Sequence, residues 1–128
     1  MREEIERTDE ERAAYFAARQ LLDPALDAFA LQQFQQLVSD HPRSKQRNRH
    51  LLSLADLYVD LSERYVGDHP PESLAFDPIT FDEYSLGATR LYEAVSLQDG
   101  AIEKLEASRK LEAFLAFTLG VYGEKLPR

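Results

Sequence analysis

The 128-residue chain has no cysteine and no tryptophan, a single methionine and only five glycines. Without cysteine there are no disulfides, no thiol nucleophile and no thiolate metal ligand, a pattern that fits a reducing compartment. No glycine-rich phosphate loop, nucleophile elbow or HExxH motif can be drawn from its residues. Cations are scarce as well. Fifteen Lys and Arg stand against 23 Asp and Glu, for a net charge of −8, and such a chain repels nucleic acid in bulk. No apolar run approaches the roughly 18–20 residues of a membrane span. The opening MREEIERTDEER is too charged for a signal peptide, so the chain as it stands is expected in the cytoplasm. A periplasmic or envelope location would require a targeting segment that has been removed.

What is present is material for a core. Apolar residues make up 44% and charged residues 30% of the chain, which suits one globular domain over 1–128 burying roughly two-thirds of its unfolded surface. The periodicity is helical throughout, and no window alternates at period two, so the expected class is all-α. Thr8 with Glu11 forms a capping box, which predicts a first helix over about 8–22 with Tyr15, Ala18 and Leu22 on one face and Ala14, Ala17 and Leu21 beside it. Asp23-Pro24 reads as the next N-cap, and Leu26, Phe29, Ala30, Phe34 and Leu37 then follow at offsets of three and four. Pro42 stops that helix. Ser44 can cap a third helix, about 46–66, with Leu51, Leu54, Tyr58, Leu61 and Tyr65 inward and Gly67 as its stop. The segment Gly67–Thr80 has three prolines and no period, and is expected as a loop whose Leu74, Phe76 and Ile79 pack back on the body. Thr80 with Glu83 forms another capping box, followed by Phe81, Tyr84, Ala88, Leu91, Tyr92 and Val95 on one face. Asp99-Gly100 predicts a turn, lacking the alternating oxygens of a calcium loop, and a last helix spans 101–122.

Two of these helix pairs share a pattern. Ala30-x3-Phe34 is followed by Pro42, and Leu51-x2-Leu54-Ala55-x2-Tyr58 is matched by Ala88-x3-Tyr92. This resembles the tetratricopeptide repeat, in which a large-large-small-aromatic helix pairs with a small-x3-aromatic helix closed by proline. Ala14, Ala17, Ala18 and Leu21 stand at the first-helix positions of the first unit, although Ala14 and Ala17 are undersized. With HPRS between the units, the resemblance is nearest to repeats of bacterial cell-envelope proteins of the Tol-Pal-associated and outer-membrane assembly lipoprotein type, and it covers about residues 11–99. It implies two antiparallel units, 11–44 and 48–99, the second with an insertion at 67–80, and a capping helix over 101–122. The competing architecture is an irregular bundle of four to six helices.

Little in the chain points to catalysis. His41, His50 and His69 flank loops or a helix start, with no i,i+4 pair among them, and predict surface or capping roles rather than a metal site. Asp56 with Asp60 and Glu103 with Glu106 are carboxylate pairs at helical spacing. An all-α magnesium-dependent hydrolase would need a further Glu-x2-Asp that is missing, so both pairs are expected as solvated faces. No catalytic residue, cofactor or metal is predicted. The local oddity is the basic run Arg43, Lys45, Arg47, Arg49, His50, whose cations oppose a helix dipole. Either surplus carboxylates pair with it or it docks an acidic partner, and no interleaved aromatics equip it to stack nucleic-acid bases.

The repeat resemblance implies a non-catalytic adaptor or assembly scaffold binding a protein or peptide. Its groove would be lined by Asn48, Ser53, Asp56 and Val59, with Arg43, Lys45, Arg47 and Arg49 at its mouth. The alternative is a small dimeric helical-bundle regulator, chaperone or immunity-type protein. Two repeat units rarely suffice for a stable stack. The apolar breadth of the last helix therefore predicts a homodimer meeting through Phe117 and Val121, with Leu111, Phe114, Leu115, Thr118, Leu119 and Tyr122 closing the monomer.

Overall fold

Helix α1 runs Arg2–Gln20, and its inward line is not the apolar one. The computed structural model describes residues 2–98 and 102–125, apart from the side chains of residues 124 and 125. Inward on α1 come Glu6, Asp9, Glu10, Ala13, Phe16, Ala17 and Gln20, whereas Tyr15, Ala18, Leu21 and Leu22 are exposed. The expected face is therefore displaced by one position. Thr8 is mid-helix, its hydroxyl donating to the Glu4 carbonyl rather than capping, because the helical spacing already holds upstream of it. The small inward residues Ala13 and Ala17 let α2 approach closely.

The next helix starts as expected. The Asp23 carboxylate accepts from the Ala25 amide and Pro24 opens a 3₁₀ turn, Pro24–Leu26, that leads into α2, Asp27–Asp40. Helices α2 and α3 (Arg47–Asp68) both end at a histidine that precedes a proline, His41 and His69, with φ of −127° and −133°. The clash of proline with the preceding residue's backbone explains both stops, and α3 runs through Gly67 to reach its own. The Ser44 hydroxyl catches the Gln46 amide at 2.9 Å just ahead of α3. Helix α4, Pro78–Ser96, is capped by Asp77, which accepts from the Ile79 amide and the Thr80 hydroxyl. Thr80 is thus a donor to the cap and not the cap itself. Helix α5 is Glu103–Lys125. The turn expected at Asp99-Gly100 lies outside the described residues, among which no strand occurs and no helix is long and apolar enough to cross a membrane.

The five helices pack against one another as two layers. His50 meets Glu6 and Glu10 while Arg64 donates to the Gln20 carbonyl and to Asp27, so α1 and α3 run parallel. Arg49 meets Glu106 and Asp56 meets Lys110, so α5 runs parallel to both. Helices α2 and α4 return behind them. One cluster joins α1, α2 and α3 through Ala13, Ala30, Phe34, Leu37, Leu54, Leu57 and Leu61. A second joins α3, α4 and α5 through Leu51, Leu52, Ala55, Ala88, Tyr92, Val95, Ala107 and Phe114. A third, smaller cluster forms where Phe76 folds back onto Phe81 and Val121. Of the loop residues expected to pack inward only Phe76 does, since Leu74 and Ile79 are exposed.

Helix α4 lies tight against the Tyr58 ring of α3 at Gly87. A Cβ there would lie 2.9 Å from three atoms of the Tyr58 ring. That ring is wedged between two clusters and its hydroxyl accepts from Gln35 at 3.0 Å, so it has nowhere to swing. Gly87→Val is expected to destabilise by about 2 kcal/mol, because overpacking outweighs the several tenths gained in helix propensity. An unchanged urea midpoint would show that Tyr58 yields.

Candidate functional site

Parallel helices of the front layer leave a seam between α3 and α5, and Tyr92 of α4 reaches through to its floor. A ladder of charge runs along the seam. Arg49 donates to both carboxylate oxygens of Glu106 at 3.1 Å, and Glu103 stands 4.0 Å away. Lys110 lies 3.0 Å from Glu106 and donates to both oxygens of Asp56, at 2.8 and 3.1 Å. The Tyr92 hydroxyl donates to Asp56 at 2.5 Å. The hydrogen bonds from Arg49 and then Lys110 pull the Glu106 pKa down to about 2. The bond to Glu106 raises that of Arg49. Burial opposes the charge on Lys110, but its bonds to Asp56 and Glu106 outweigh that and raise its pKa. Tyr92 is pushed up by burial and then by its bond to the Asp56 carboxylate, so it stays a neutral donor.

Beyond Lys110 the seam widens into an open groove of about 470 Å³ lined by Asp56, Val59, Asp60, Glu63, Phe114 and Phe117 among others. Asp56 is neutralised by Lys110. Asp60 and Glu63 make no ion pair among the described residues. Partial desolvation in the concavity, then repulsion from Glu63 and Asp56, raises the Asp60 pKa. The groove therefore offers an apolar and aromatic floor beneath two carboxylates that make no ion pair among the described residues, Asp60 being partly offset by the charge of Arg64.

Several expected site residues fall elsewhere. Asp56 and Val59 line the groove, whereas Asn48 and Ser53 are half-buried outside it. Arg49 is a structural cation held by Glu106. Arg43 and Lys45 are exposed and Arg47 is half-buried, all without an ion pair among the described residues. The carboxylate pairs expected as solvated faces instead border one seam, already occupied by Arg49 and Lys110. Val121 is 4% exposed in the third cluster, and Phe117 packs on Phe81 and Phe114. Val121 is thus part of the core, whereas Phe117 is half-buried and its open side lines the groove. The outward apolar residues of α5 are Leu105, Leu115 and Leu119. Phe114 and Phe117 as groove residues were missed because they were assigned to core closure and to self-association. No family model matches this chain, and no curated protein or solved structure compared with it is similar.

Proposed function

We propose that this chain is a non-catalytic interaction module of tetratricopeptide-like build, whose α3–α5 groove takes a basic, amphipathic segment of a partner protein. The carrying observation is the pairing of Asp60 and Glu63 with the floor of Val59, Phe114 and Phe117. Apolar side chains of a docked segment would gain roughly 25 cal/mol per Å² buried, while its Lys or Arg residues would complement the unpaired carboxylates. The repeat build is supported by parallel α1, α3 and α5 with α2 and α4 returning behind, and by Ala30 and Phe34 buried between α1 and α3. In α1 the four positions of the first-helix spacing that turn inward are Ala13, Phe16, Ala17 and Gln20, one before the expected register, with a small residue at the first and a glutamine at the aromatic one.

The sign of the groove favours a basic segment there over the acidic one expected from the basic run. An acidic segment would meet Asp60 and Glu63, and Arg49 is already committed to Glu106. Fluorescence anisotropy with a labelled Lys/Leu/Phe amphipathic peptide tests the proposal, against a peptide with Glu in place of Lys. The basic peptide is expected to bind with an affinity that falls as salt rises. D60K/E63K should weaken it by about tenfold or more at low salt, and R43E/K45E should not. Preference for the Glu peptide, or indifference to D60K/E63K, would refute the groove as the docking site.

A further inference from the structure

Across the molecule from the groove, the polar inward line of α1 meets the α2–α3 connection. Glu6, Asp9 and Glu10 come from α1, His41 and Ser44 from the connection, and His50 from the first turn of α3. His50 is 3% exposed. Its Nε2 lies 2.6 Å from Glu10 Oε1 and 3.4 Å from Glu6 Oε2. One ligand atom from each of Glu6, Glu10 and His50 falls within 4.8 Å of the others. His50 Nδ1 is buried without a partner among the described residues, so Nε2 is the nitrogen through which this ring does its polar work.

We propose that Glu6, Glu10 and His50 bind a divalent first-row transition ion that staples α1 to the first turn of α3. Three features support a built site. The donors are one imidazole nitrogen and two carboxylates, a set that suits zinc and its neighbours. The geometry is close to that required: ligands about 2.1 Å from a shared tetrahedral ion stand about 3.4 Å apart. His50 to Glu6 already has that spacing, and Glu10, the most exposed of the three at 38%, has to withdraw by under an ångström. Finally, Glu6 has outer partners of the kind that orient metal ligands. Ser44 donates to Glu6 Oε2 at 2.5 Å. His41 Nδ1 stands 3.8 Å from Glu6 Oε1, and its Nε2 stands 2.8 Å from Asp9.

The charge balance points the same way. Three carboxylates gather around two imidazoles, and the cation paired with them is Arg12, on the outer side of Asp9 at 3.6 Å. A divalent ion at Nε2 would offset Glu6 and Glu10 together. In the sequence these donors are invisible as a set, because Glu6-x3-Glu10 and His50 lie 40 residues apart.

Titrating the full chain with Zn²⁺ by calorimetry, and with Co²⁺ by visible absorption, tests the site. One equivalent of Zn²⁺ is expected to bind, to raise the melting temperature, and to give with Co²⁺ the intense visible bands of a low-coordinate ion. Glu10→Gln keeps a hydrogen-bonding side chain at a half-exposed position and so should fold, yet should weaken Zn²⁺ by about 100-fold, as a lost ligand does at least as much as a lost outer partner. His50→Gln should abolish binding, while His69→Gln, outside the cluster, should leave it unchanged. Absence of binding at millimolar Zn²⁺, or binding unaltered by Glu10→Gln, would overturn the proposal. So would binding lost in His69→Gln.

Discussion

Replacing Phe81 with alanine is expected to cost about 3–5 kcal/mol, the range for truncating a large, fully buried aromatic. Phe81 is 0% exposed and is the hub of the third cluster. Its ring lies 5.7 Å from Phe76, 6.3 Å from Phe117 and 5.7 Å from Tyr122, the last edge-on. The α4 start, the returning loop and the end of α5 all converge on it, and none can close the gap without moving the others. Tyrosine hydrogen bonds pin the surroundings further: the Tyr65 hydroxyl accepts from the Asp77 amide at 2.8 Å, and the Tyr122 hydroxyl donates to the Asp82 carboxylate. The loss should appear as a lower denaturant midpoint. A cost below about 1 kcal/mol would mean that the loop collapses into the space and that Phe76 is not held as described.

The same cluster shows where sequence periodicity was sufficient and where it was not. In α2, α3 and α4 one face is apolar and the other polar, so Ala30, Phe34, Leu37, Leu51, Leu54, Leu61, Phe81, Ala88, Tyr92 and Val95 were legible as buried, and are. In α1 the inward face carries Glu6, Asp9, Glu10 and the buried Gln20, and a pattern that seeks apolar residues slides to the neighbouring line. Tertiary partners on α3, His50 and Arg64, are what turn that polar line inward. From Ala113 to Gly123 helix α5 is apolar on nearly all sides, so its period could not choose between Phe117 with Val121 and Leu115 with Leu119. The choice is made by Phe81 and Phe76, which meet the former pair. Within the groove, Asp56 and Val59 were legible from repeat spacing. The ladder linking Arg49, Glu106, Lys110 and Asp56 was not, because its members lie more than fifty residues apart and local pattern carries no information on such pairs.

Phe34→Ala is expected to cost a comparable 3–5 kcal/mol, and its distribution along the chain distinguishes a repeat stack from an irregular bundle. Phe34 lies in the cluster that joins α1, α2 and α3, with Ala13 on one side and Leu54, Leu57 and Leu61 on the other. That cluster shares no residue with the one around Phe81, so the double variant should lose the sum of the single effects to within about 0.5 kcal/mol. In a stack where each unit leans on its neighbours alone, stability is a chain of nearest-neighbour terms. Phe34→Ala should then open α1 and α2 in native-state hydrogen exchange while α4 and α5 keep the protection of the parent protein. Phe81→Ala should do the reverse, releasing the C-terminal end first. Helix α3 touches both clusters and should exchange last in each variant. Uniform loss of protection over all five helices in either variant would instead identify one cooperative bundle. The shared spacing of the two helix pairs would then be a consequence of close helix packing and not of a repeat.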